Sequence, residues 1–313
     1  MESNSDFKIE VYIPSLRKKV QFCQFNNRMY KDTLKYIQNQ DMFNLNTYFE
    51  HLINSLNPEI TSNNLTKVDK FCILLTLRIV CIGSILDLQF KCKTSGQKYT
   101  GTIDLNNILQ IMTDLECNTH DTVKIDDNVS VKLSIPSGLY ITDDQIIEVI
   151  SDCVRHIIID DERYNLAELT TKERKNIINK LPGNIFADII SFANKTQDMF
   201  KDFIIFTDKS PHDPEALAQD HKLRLYDNSM FEFIKMCFDE SLEGFYHMMY
   251  SLCSDANMSP EYIEKCTPAE AIMFLNFKKQ EIAQQNEAIK KQSNSNDSGP
   301  ILPNRIPNMV DKL

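Results

Sequence analysis

Apolar and polar positions alternate from the first structured stretch of the chain. Phe7, Ile9, Val11 and Ile13 fall on one face, and Lys8, Glu10 and Tyr12 on the other. Period two predicts a half-buried strand. Pro14-Ser15 interrupts it. After the basic corner Arg17-Lys18-Lys19, the positions Val20, Phe22 and Gln24 continue as a second strand, so the Pro-Ser-Leu step reads as a hairpin turn. The period then lengthens. A helix is expected from Asn26 or Asn27 through Tyr30, Leu34 and Ile37, and a second over Met42–Leu56, stopped by Asn57-Pro58. Thr66 caps a third helix, whose Val68, Phe71, Cys72, Leu74, Leu75, Leu77, Ile79 and Val80 leave almost no polar side. A helix that is apolar all round is a buried one, and this one is expected at the centre of the first domain.

Alternation returns over Ile85–Cys92. It turns at Thr94-Ser95-Gly96, comes back over Lys98–Leu105, and recurs at Thr122–Ile125 and Asn128–Ile135. The last of these exits through Ile135-Pro136-Ser137, an echo of Ile13-Pro14-Ser15 that reads as shared turn chemistry rather than a repeat. A helix is expected over Asp143–Val154, followed by a short strand at Ile157–Ile159 and an acidic turn at Asp160-Asp161-Glu162. Helices follow, capped at Leu169-Thr170-Thr171 and begun by Pro182. Residues 207–214, with two prolines, read as a linker, and everything beyond reads as helical. Ser259-Pro260 and Thr267-Pro268-Ala269-Glu270 are N-cap signatures. The last helix begins apolar at Ile272–Phe277 and turns polar, leaving Ile282 and Ile289 on one side. The expected architecture is α+β: a mixed domain of antiparallel strands and packed helices over residues 1–206, a linker over 207–214, an all-helical interaction domain over 215–292 and a mobile tail over 293–313.

Composition narrows the function classes. The 313 residues carry a net charge of −10 with no basic block, which disfavours a nucleic-acid binder. Only 7 glycines occur, and neither G-x-G-x-x-G nor G-x-x-x-x-G-K-[ST] is present, which disfavours the nucleotide-binding folds built on those loops. The longest apolar run, Phe71–Leu88, is broken by Arg78 and Asp87, so no membrane span is expected; nor does the polar N-terminus read as a signal peptide. Nine scattered cysteines suit a reducing compartment better than a disulfide framework.

Candidate chemistry is thin. Cys92 at a hairpin turn, with Cys117 and His120, offers three zinc ligands; Ser95 stands where a second knuckle cysteine would be, and no fourth ligand follows. The plainer reading is buried thiols, and no cofactor is expected. Cys153 and His156, at i and i+3, suggest a nucleophile–base pair on one helix face, without the orienting group or oxyanion segment such chemistry needs. Asp160-Asp161-Glu162 lacks calcium-loop spacing, and Asp143-Asp144 fits helix N-terminal charge. Arg78, inside the most apolar helix, requires a carboxylate or carbonyl partner, either in a structural pair or at an interface. Methionines cluster late. With Met248, Met249, Ile272, Leu275, Ile282 and Ile289 the final helices present an adaptable apolar surface suited to partner helices.

Several pieces stand in a suggestive order: Tyr12-Ile13-Pro14-Ser15-Leu16, Val20-Gln21-Phe22, a helical pair, then Leu65-Thr66-x-x-Asp69-x-x-x-x-Leu74-x-x-x-Arg78-x-x-x-x-Gly83 and the strand ending at Cys92. Over residues 7–205 this order resembles the baseplate hub family of T-even-like contractile-tailed bacteriophages. Relatives often carry C-x-x-C where this chain has Cys92 and Ser95. The C-terminal part resembles a second assembly protein of the same phages. The resemblance marks Pro14, Asp69, Arg78 and Gly83 as structural positions. It implies a non-enzymatic hub subunit or hub-assembly chaperone that shields the tape-measure protein. Its partners would be other hub proteins and the tape-measure protein, and its location the host cytoplasm during assembly and the virion tail baseplate. The competing readings are a cysteine-dependent enzyme using Cys153 and His156, and a host-directed binding module.

Overall fold

The structure, a computed structural model, describes residues 8–92, 95–114, 120–140, 151–199, 203–208, 219–223 and 228–295. Strands β1 (Lys8–Ile13) and β2 (Lys18–Cys23) pair antiparallel across a single 3-10 turn at Pro14–Leu16. Arg17 closes the turn with φ 48°, its N–H bonded to the Pro14 carbonyl at 3.2 Å. The alternation holds: Ile9, Val11 and Ile13 are buried while Lys8 and Glu10 are exposed. Helices α1 (Asn27–Gln38) and α2 (Met42–Leu56) start where Asn26 and Asp41 accept from the free N–H groups of Met29 and Asn44. Helix α3 (Lys67–Cys81) is buried on every side from Lys67 to Arg78, as its all-round apolar pattern requires.

A second hairpin, β3 (Ile85–Lys91) with β4 (Lys98–Asp104), runs straight into α4 (Leu105–Asp114). That helix is absent from the pattern reading. Its stripe of Leu105, Ile108, Leu109 and Met112 has helical spacing, but Leu105 also continues the alternation of Tyr99 and Ile103 in β4, so the two periods overlap. A four-stranded antiparallel meander follows: β5 (His120–Lys124), β6 (Val129–Ser134), β7 (Val154–Ile159) and β8 (Glu162–Asn165). Strand β7 begins at Val154 rather than Ile157, and residues 151–153 are helical. The rest of the expected Asp143–Val154 helix, with Asp143-Asp144, lies outside the described residues. The acidic turn Asp160-Asp161 has φ 47° and 67°, the doubly left-handed backbone of a tight hairpin, which aspartate tolerates. Helices α5 (Thr171–Ile178) and α6 (Gly183–Met199) pack on this sheet.

One stretch expected to be helical is not. β9 (Phe203–Asp208) pairs antiparallel with β10 (Gln219–Leu223). The segment Gln-Asp-His-Lys-Leu carries no apolar alternation, so its strand form follows from the ladder with β9, which no local pattern announces. Residues 207 and 208 of the expected linker belong to β9, and 209–214 lie outside the described residues; residues 293–295 of the expected tail continue the last helix, and 296–313 lie outside the described residues. From residue 228 the chain is helical: α7 (Ser229–Cys237), α8 (Leu242–Ser254), α9 (Pro260–Lys265) and α10 (Pro268–Ser295).

Burial divides the molecule differently from the sequence order. The largest core joins the first hairpin, α1–α3 and α4 to Met230, Phe231, Phe233, Ile234 and Phe245 of α7 and α8. A second core lies between the meander and α5–α6, with Val131, Leu133, Val154, Ile157, Ile178 and Ile189. A small third one, Leu252, Ile263 and Ala271, ties α8, α9 and the start of α10. The buried Asn27 fastens α1 to α9, its Nδ2 donating to the Ile263 carbonyl at 2.9 Å and its N–H to the Cys266 carbonyl at 2.8 Å.

Candidate functional site

The first turn of α3 is where distant segments meet. Thr66 and Asp69 form a capping box: the Asp69 N–H donates to Thr66 Oγ at 3.2 Å, and Asp69 Oδ2 accepts from the Thr66 N–H and Oγ–H at 2.8 and 2.7 Å. The other oxygen of the same buried carboxylate accepts from the Ser15 N–H at 2.9 Å, which anchors the Pro-Ser-Leu turn. The second Ile-Pro-Ser exit docks on the same turn. The Pro136 carbonyl accepts from the Lys67 N–H at 2.8 Å, and Ser137 Oγ lies 3.0 Å from Lys70 Nζ. The echo in the sequence is therefore two strand ends using one helix N-terminus.

Lys70 is only 1% exposed and pairs with Glu50 Oε1 at 2.6 Å. Burial lowers its pKa below the ordinary lysine range, against the pull of Glu50. Next to it Asp152 pairs with Arg174 at 2.6 Å. Burial raises the Asp152 carboxyl above the usual aspartate range although Arg174 and Lys70 oppose it. A cavity of about 180 Å³ lies among Glu50, Lys70, Ser137, Asp152, Arg155 and Arg174. Arg155 reaches across it to the carbonyls of Asn63 and Asn64. These charges join the first core to the second.

At the other end of α3, Arg78 finds carbonyl partners. Its Nε donates to the Cys237 carbonyl at 2.6 Å, at the C-terminus of α7 where a cation is favoured, and its Nη1 donates to the Gly83 carbonyl. Gly83 adopts φ +146°, a backbone that side chains disfavour, and its N–H returns to the Arg78 carbonyl at 3.0 Å.

The expected nucleophile pair does not form on one helix face. Cys153 ends a helical segment and is fully buried, whereas His156 lies on β7. Desolvation pushes the Cys153 thiol up to about 12, the reverse of an activated thiolate. The expectation failed because the chain changes from helix to strand between the two residues. Cys92 is buried, with its Sγ 3.5 Å from the Ser95 N–H. Cys117 lies outside the described residues, and His120 stands on β5. Among the described residues no three His, Cys, Asp or Glu side chains gather as a metal site.

The late helices divide into a packed half and a bare half. Met248 and Met249 are half-buried between the first and third cores, and Leu275 is half-buried against the third. Ile272, Ile282 and Ile289 are exposed, Ile289 by 61%, and every residue from 279 to 291 is exposed. Sequence reasoning missed Tyr246 and Tyr250, the latter 71% exposed, which stand one helical turn apart on α8 beside a groove that Gln38, Leu242 and His247 also line. Their i, i+4 spacing opposite the core-facing Phe245 and Leu252 was the available signal.

A family model described as "T4 bacteriophage base plate protein" matches residues 5–205. No curated protein and no solved structure matches.

Proposed function

Since this chain belongs to the T4 bacteriophage base plate protein family, we propose that it works as a hub subunit or hub-assembly chaperone whose last helix takes hold of a partner. Membership makes it a structural protein of the phage baseplate, in the virion tail and in contact with other baseplate components. The finer role rests on one observation. Helix α10 continues for 13 residues, 279–291, with no buried side chain. A helix of that length without packing is marginal in water, because its stability in proteins comes from an apolar face against a neighbour. The bare half carries Ile282 and Ile289 seven residues apart, in line with the half-buried Leu275, the spacing of a seam between helices.

The partner we propose is helical, as a tape-measure segment awaiting tube assembly in the host cytoplasm would be. The exposed Tyr246, Tyr250 and Phe277 widen the apolar surface such a helix could cover. The test is co-purification with tail proteins from infected cells, using the full chain and a chain lacking residues 279–313. The reading expects hub or tape-measure proteins with the full chain and their loss on truncation. Equal recovery from both would remove α10 from the role, and absence of tail proteins from both would remove the role itself.

A further inference from the structure

The outer face of the meander carries a polar row that holds two fixed cations, Lys132 and Arg163. Lys132 on β6, His156 on β7 and Asn165 on β8 stand directly opposite one another in the ladder. Arg163, two residues before Asn165 and therefore on the same face, brings its Nη2 to 2.8 Å from His156 Nε2. The ladder slips at Lys132/Leu133, which leaves Arg155 as the extra residue of β7 and turns it toward the same hollow. Opposite the row stand Ser15 and Leu16 of the first hairpin turn, with Asn64 and Thr66 before α3; together they enclose a pocket of about 280 Å³.

Lys132, Arg155, His156 and Arg163 line this pocket and no carboxylate does, in a chain whose net charge is −10. Lys132 has no ion-pair partner among the described residues, and Arg163 lies against an imidazole rather than an acid. The nearest acid of β8, Glu162, falls on the opposite face and accepts from Tyr164 Oη at 2.8 Å. Like charges gathered around a concave polar surface raise the local concentration of opposite charge.

We propose that this pocket binds an acidic, carboxylate-bearing segment of a partner protein, on a face separate from α10. The spacing favours a peptide over a phosphate. Strands lie about 4.8 Å apart, so Lys132 on β6 and Arg163 on β8 leave the backbone about 10 Å apart, wider than one phosphate and suited to successive carboxylates. The rest of the lining fits as well. Ser15 and Asn64 add a hydroxyl and an amide of the kind that bond peptide groups, and no glycine-rich loop lines the pocket.

The experiment uses the purified full chain and a fluorescein-labelled hexaglutamate peptide, read by fluorescence anisotropy at low salt. The double variant Lys132→Glu with Arg163→Glu should bind about tenfold or more weakly. A charge-matched control, Lys278→Glu with Lys279→Glu on α10, should bind within about twofold of the unaltered chain. Should the double variant lose its circular dichroism signal, Lys132→Gln alone carries the test, with a smaller loss in the same direction. Equal weakening by the control would mean general charge attraction and would overturn the proposal. So would the absence of binding, or displacement of the peptide by millimolar inorganic phosphate, which would assign the pocket to that ion instead. The readout needs no tail assembly, so it stands or falls independently of the role assigned to α10.

Discussion

Asp69 is one carboxylate used three times: its two oxygens accept from the Thr66 N–H, the Thr66 hydroxyl and the Ser15 N–H. Asn in its place keeps one acceptor and turns a donor toward donors, so Asp69→Asn should cost about 1–3 kcal/mol, read as a lower urea midpoint. Gly83 holds φ +146° beside Arg78. A Cβ there meets Arg78 Nη1 only at ordinary contact distance, so the cost of Gly83→Ala lies in the backbone, about 1–3 kcal/mol by the same measurement. Cys153, its thiol pushed up to about 12, should resist iodoacetamide at pH 8 in the folded protein and react once denatured. Rapid alkylation of the native thiol would revive the cysteine-enzyme reading. All three residues were visible in the sequence. The Thr66/Asp69 box follows from spacing alone, but the third bond of Asp69, to a turn 54 residues away, does not.

At the scale of elements, capping chemistry was the most legible feature. Thr66, Thr170, Ser259 and Thr267 each stand at a helix start, and three of them complete a box with the acidic residue three positions on. Strand β10 and helix α4 escaped because one lacks a local period and the other starts inside its neighbour's. The two halves of α10 make opposite predictions. Thr267 and Ala271 are buried, so deletion from residue 268 should destabilise the third core. Deletion of 279–313 removes no buried side chain among the described residues and should leave the melting temperature within about 2 °C. A larger fall would show that the bare half is packed in solution.

Over the whole molecule, buried charges hold the first core to the second, and this seam should respond to pH. Burial raises the Asp152 pKa, so the folded chain takes up this proton at higher pH than the unfolded chain. Its contribution to stability is then full below the ordinary value of 3.8 and is lost as pH rises through the elevated one. Urea midpoints of the unaltered chain relative to Asp152→Asn should therefore improve as pH falls from 7 toward 4; the opposite slope would mean that the Arg174 pair outweighs desolvation. The sequence by itself determined the strands β1 to β6, the threonine and serine caps, the burial of α3 and the contrast within α10, since these depend on contacts between residues two to four positions apart. Pro14, Asp69, Arg78 and Gly83 were marked by the resemblance to the baseplate family and not by any local period. Only the tertiary structure decided that α7 enters the first core, that two Ile-Pro-Ser exits share one helix end, and that Lys132, His156 and Arg163 form a row beneath Ser15. Those placements depend on ladder register, on a one-residue slip and on hydrogen bonds between segments far apart in the chain, which no local period encodes.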